Sequence, residues 1–128
     1  MAIELAIPEP TPLLNTWQRL HWAQRRKVGA HWARLVLAAL GPQRPPAPLA
    51  RVRVEVVRHS ARAPDLDGLY GGLKPLLDAL VPRSRRHPNG LGVIADDGPA
   101  HLVELVARAA PARRGQGWTR VTITALPA

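Results

Sequence analysis

The stretch R-V-R-V-E-V-V at positions 51–57, running on to P-D-L-D at 64–67, decides how this chain folds. Val52, Val54 and Val56 alternate with Arg51, Arg53 and Glu55, which is the period of a strand with one buried and one polar face. The segment runs out through His59 and Ala63 to Pro64, and a proline disfavours helix at the residue before it. Asp65 and Asp67 are therefore expected just beyond the carboxyl end of a strand. Side chains two positions apart in extended chain point the same way, so these two carboxylates are expected to face one point.

Working toward the N-terminus, Gly41 to Pro48 is rich in proline and reads as a linker within one domain. Before it, apolar residues recur at helical spacing from Thr16 to Leu40, most clearly at Val28, Trp32, Leu35 and Ala39, with Asn15 as the N-cap and Gly29 as a place to bend. Ile3, Leu5 and Ile7 alternate with Ala2, Glu4 and Ala6 as a first strand, closed by Pro8, Pro10 and Pro12.

Toward the C-terminus, Gly71-Gly72 interrupts the chain and Lys74-Pro75 opens a helix near Leu73, since proline is tolerated in a first turn. Lys74 and Asp78 share a face of that helix. The segment V-P-R-S-R-R-H-P-N-G, 81–90, reads as a basic loop that is mobile when free. Val103, Leu105 and Ala107, then Val121, Ile123 and Ala125, give two further strands. The order β-α-β-α-β-β over residues 1–128 predicts a single α/β (α+β) domain, a mixed sheet with helices packed against it.

The chain carries 18 Lys+Arg against 9 Asp+Glu, a net charge of +9, yet every aspartate falls between positions 65 and 97. A basic surface suits an anionic polymer. Clustered carboxylates repel one another unless a cation sits among them, and oxygen ligands of this kind suit Mg²⁺ or Mn²⁺. Asp65, Asp67 and Asp97 are the candidate metal ligands, with Asp96 and Asp78 weaker ones, and Lys74 is placed to meet phosphate charge. Arg25, Arg26 and Lys27 on the long helix and Arg83, Arg85 and Arg86 in the basic loop are the candidate DNA contacts.

Several classes fall away. The absence of cysteine removes disulfides, thiolate zinc sites and thiol nucleophiles. His21, His31, His59, His87 and His101 lack zinc-ligand spacing, and no P-loop is present. No run reaches the ~18 apolar residues of a membrane span, and Met1 to Pro8 is too short an apolar run for a signal peptide, so a soluble, cytoplasmic protein without a membrane partner is expected.

The stretch D-L-D-G-L-Y-G-G-L-K-P-L-L-D-A-L at 65–80, followed by G-V-I-A-D-D-G at 92–98, resembles the signature of the RusA family of Holliday junction resolvases. More weakly, Asn15, Arg19 and His21 after a proline-rich bend resemble the family's opening. The resemblance implies a bacterial or phage-encoded homodimer that cuts four-way DNA junctions in recombination and repair. It implies Asp65, Asp67 and Asp97 as catalytic carboxylates holding Mg²⁺ (or Mn²⁺), Lys74 as the active-site lysine, and 5′-phosphate products. The chain departs from the pattern in two places: Gly68 replaces the usual Asn, and Lys74 stands further from the D-x-D. These departures favour an alternative, a protein of the same fold that binds junctions or other nucleic acid without cutting, its aspartates serving caps and turns.

Overall fold

In the computed structural model, which describes residues 1–127, four strands form one sheet. They are β1 (Ala2–Ile7), β2 (Val52–Ser60), β3 (Leu102–Pro111) and β4 (Trp118–Ala125), in the order β1-β4-β2-β3. β4 runs antiparallel to both β1 and β2, whereas β2 and β3 are parallel. A parallel pair needs a crossover, and α3 (Leu66–Gly71) with α4 (Lys74–Leu80) supplies it. Between β1 and β2 lie α1 (Leu14–Arg19), α2 (Trp22–Leu40) and a short 3-10 turn. This is the single-domain α+β fold with a mixed sheet that the hydrophobic pattern predicts.

Alternation places Ile3, Leu5, Ile7, Val52, Val54, Val56, Val121 and Ile123 on one face of the sheet, all buried. Against that layer pack Trp32, Val36 and Leu40 of α2 with Leu76, Ala79 and Leu80 of α4, and α2 touches both β1 and α4. The opposite face is polar and laced with ion pairs. Arg120 meets Glu4 at 3.1 Å, Arg53 meets Glu104 at 3.1 Å and Arg108 meets Glu55 at 3.2 Å. Pairs this exposed add little stability, so the apolar layer under the helices holds the sheet.

Several expectations change. The helix expected from Thr16 to Leu40 is two helices, because Leu20 and His21 are extended and His21 starts α2 afresh. The His21 Nδ1 accepts the Ala23 N–H at 3.3 Å, and Gln24 Oε1 accepts the His21 N–H at 3.2 Å, a capping box with histidine in the cap position. Asn15 lies inside α1 and caps nothing, and α2 continues through Gly29. In β3 the alternation slips: Val52 pairs with Leu102 but Arg53 with Glu104, so Val103 is an extra residue and is exposed, while Ala107 is buried.

Candidate metal and nucleic-acid site

α4 starts at Lys74 with Pro75 in its first turn, where a missing N–H costs no helical bond. Pro75, Leu76, Ala79 and Leu80 face the core, which leaves Lys74 exposed and Asp78 half-buried at the helix edge. Their charges meet, with Lys74 Nζ 3.5 Å from Asp78 Oδ1.

The basic loop that follows is tied down rather than free. Leu91 and Gly92 donate N–H bonds to the carbonyls of Ala79 and Val81 at 2.9 and 3.0 Å, while Ser84 and Gly90 both donate to the carbonyl of His87 at 3.1 Å. The His87 N–H donates to Ser84 Oγ at 3.1 Å. These bonds hold the His87 ring against α4, with Nδ1 3.4 Å from Asp78 Oδ1. Asp97 comes from the loop ahead of β3 and completes the group. One ligand atom from each of Asp78, His87 and Asp97 lies within 4.8 Å of the other two, and among the described residues no other set of three such side chains converges this way.

The His87 Nδ1 is shielded from solvent and has no hydrogen-bond partner, although Asp78 Oδ1 is near. The two atoms are near each other but not aligned for a bond. A buried nitrogen left unpaired costs roughly 1–3 kcal/mol, and a cation among the three groups would remove that cost. Two carboxylates and an imidazole fit a divalent ion: the oxygens accept Mg²⁺ or Mn²⁺, and the nitrogen favours Mn²⁺ over Mg²⁺.

Asp65 and Asp67 do not join this group, and they do not share one extended segment: Asp65 is extended, but Asp67 is already helical. Asp65 is the N-cap of α3, its Oδ1 accepting the Gly68 N–H at 2.7 Å, and Asp67 stands in that helix's first turn. The parallel register explains the separation. Val52 pairs with Leu102 and Ser60 with Pro111, so the chain leaves β2 toward Asp65 at one end of the pair and enters β3 from Asp96-Asp97 at the other. Asp96 is exposed beside Asp97 but outside the cluster. His87, which has no ligand spacing in the sequence, takes the place expected of the D-x-D. Only the folded-back loop brings it to Asp78, and no local pattern in the sequence announces that contact.

A groove opens beside the cluster. Asp78, His87 and Pro75 line one wall, and Trp17, Arg25, Arg26 and Arg86 bring aromatic and cationic surface to the same depression. Three of the six cations singled out as DNA contacts, Arg25, Arg26 and Arg86, therefore line the same groove as Asp78. Lys27 lines an adjoining depression, whereas Arg83 and Arg85 are exposed on the loop and line neither. Arg25 has a structural duty as well, because its guanidinium donates to the Trp17 and Gln18 carbonyls at 3.3 and 3.0 Å and lies 5.6 Å from the Trp17 ring centre. It closes the exposed end of α1. Away from the groove, burial lowers the pKa of Arg58, which donates to the Thr11 carbonyl at 2.7 Å and ties the proline-rich bend to β2.

No protein-family model matches the chain, and no curated protein sequence matches it. Among the described residues, no helix is long and apolar enough to cross a membrane.

Proposed function

We propose that this protein is a divalent-metal-dependent endodeoxyribonuclease that cuts branched DNA, acting on four-way junctions as a symmetric homodimer. One observation carries the reading: Asp78 and His87, which converge with Asp97 and of which Asp78 pairs with Lys74, line a groove that Arg25, Arg26 and Arg86 also line. Cations that attract a phosphate backbone thus stand next to groups suited to a metal, in a chain of net charge +9. The D-x-D, lysine and D-D order that resembles the RusA family supports the same chemistry, with the metal centre moved from the D-x-D to Asp78 and His87.

A divalent cation held by Asp78, His87 and Asp97, Mn²⁺ or Mg²⁺, would polarise a phosphate and activate water. Arg26 and Arg86 hold the backbone in the groove and fix the register of the strand. Lys74, 3.5 Å from Asp78 and exposed, offsets negative charge that builds on the phosphate in the transition state. A four-way junction needs two incisions related by approximate two-fold symmetry. One chain carries one such cluster, so two chains in a C₂ arrangement supply the pair.

The second reading, junction or nucleic-acid binding without cutting, is favoured by the cap made by Asp65, which leaves the D-x-D with a structural duty. Incubating the protein with a mobile four-way junction and with linear duplex of the same sequence, with Mn²⁺, Mg²⁺ or chelator, separates the two. Metal-dependent nicking selective for the junction supports the nuclease. Salt-sensitive binding with no nicking under any metal supports the alternative.

A further inference from the structure

Trp22, at the start of α2, leaves 63% of its surface exposed, more than any other tryptophan in the chain. The His21–Gln24 capping box fixes the backbone of the first turn of α2, from which the indole projects. The Arg26 guanidinium lies 5.9 Å from its ring centre, and the His21 ring lies 5.4 Å away at an angle of 41°. With Arg26, Lys27, Ala23 and Pro88, Trp22 borders a shallow depression. That depression and the groove beside Asp78 and His87 share Arg26, Pro88 and Asn89, so the exposed indole borders a depression next to the one that the carboxylate and histidine line.

We infer that Trp22 is a stacking platform for an unpaired nucleobase of single-stranded or splayed DNA. The occupant follows from the surroundings. An exposed π-face suits a base, and Arg26 and Lys27 beside it suit the phosphates on either side of that base, while the depression's lining contains no carboxylate. A paired base keeps its faces inside the duplex stack, so the platform discriminates unpaired from paired strands. The inference rests on the reading that the groove holds DNA, and it names the part of a branched substrate that the surface recognises: the unstacked nucleotides near a branch point.

The test measures binding alone, so it does not depend on cleavage. Fluorescence anisotropy of labelled oligothymidylate and of linear duplex is followed with the full-length protein, Trp22→Ala and Trp22→Phe, in chelator, with sedimentation velocity on each protein. Trp22→Ala is expected to weaken oligothymidylate binding on the order of ten-fold and leave duplex binding unchanged, with Trp22→Phe close to the parent. Equal weakening for both DNAs, no weakening for either, or failure of the parent protein to bind oligothymidylate would overturn the inference. So would a shift of Trp22→Ala to a smaller assembly, since the indole would then be a contact between copies of the chain. A parent protein that binds as expected but cuts nothing would sink the nuclease reading while leaving this one standing.

Discussion

His87 Nδ1 lies 3.4 Å from Asp78 Oδ1, shut away from solvent, and forms no hydrogen bond. A buried nitrogen left unpaired in a cluster with two carboxylates gains from a cation, and a ligand that binds only the folded state stabilises it by mass action. Mn²⁺ at about a hundred times its Kd should therefore add about 2.7 kcal/mol of stability, read as a rise in melting temperature. His87→Ala should weaken Mn²⁺ binding at least ten-fold by calorimetry or electron paramagnetic resonance, with the protein still folded. An unchanged affinity would remove His87 from the ligand set.

The N-cap made by Asp65 yields a prediction of a different kind. Asp65→Ala should cost about 1 kcal/mol through loss of the cap, whereas Asp65→Ser, which keeps an acceptor oxygen, should cost much less. Mn²⁺ affinity should be unchanged in both, and in Asp67→Asn. A loss of metal binding on Asp67→Asn that Asp97→Asn does not share would return the metal site to the D-x-D.

Charge in the groove is tested by salt dependence. Arg26→Gln with Arg86→Gln should make the slope of log K against log salt shallower by roughly 0.9 for each phosphate that is no longer neutralised, while Arg83→Gln with Arg85→Gln should leave it unchanged. Arg25→Gln should lower the melting temperature as well, because the carbonyls of Trp17 and Gln18 lose their donor. Equal slopes for both pairs would place DNA elsewhere.

Two glycines bracket the packing. A Cβ on Gly72 would stand 1.7 Å from the Pro12 carbonyl oxygen, a backbone atom that cannot step aside, whereas one on Gly29 meets only Asn89 at 3.9 Å. Gly72→Ala should cost about 3 kcal/mol or prevent folding. Gly29→Ala, in the interior of α2, should add about 0.5–1 kcal/mol, because alanine loses less backbone freedom than glycine on entering a helix. Opposite shifts in melting temperature are the expected result.

What the sequence makes legible follows from how local the cause is. The alternating valines of β2, the isoleucines and leucine of β1 and the pattern of β4 are read directly, because burial of one face has a period of two. The order of elements and the mixed sheet follow from them. The break before α2 is missed because histidine is an unusual cap and the helical period continues across it. The slip at Val103 depends on pairing with β2, which no single segment encodes. The candidate site divides the same way. Lys74 and Asp78 are neighbours on one helix and are found by spacing, whereas the meeting of His87 with Asp78 and Asp97 requires a loop folded onto α4 and the approach to β3. The parallel pairing that carries Asp65 away from Asp97 is likewise a tertiary fact.

If Asp97, with Asp78 and His87, holds the metal that cuts branched DNA, removing its charge must stop the cutting without releasing the DNA. Cleavage of a four-way junction in Mn²⁺ is therefore compared between the parent protein and Asp97→Asn, at a concentration where both saturate the junction. The parent should nick the junction, and Asp97→Asn should cleave at least a hundred-fold more slowly while its binding to the junction stays intact. Cleavage by Asp97→Asn at the parent's rate would contradict the assignment.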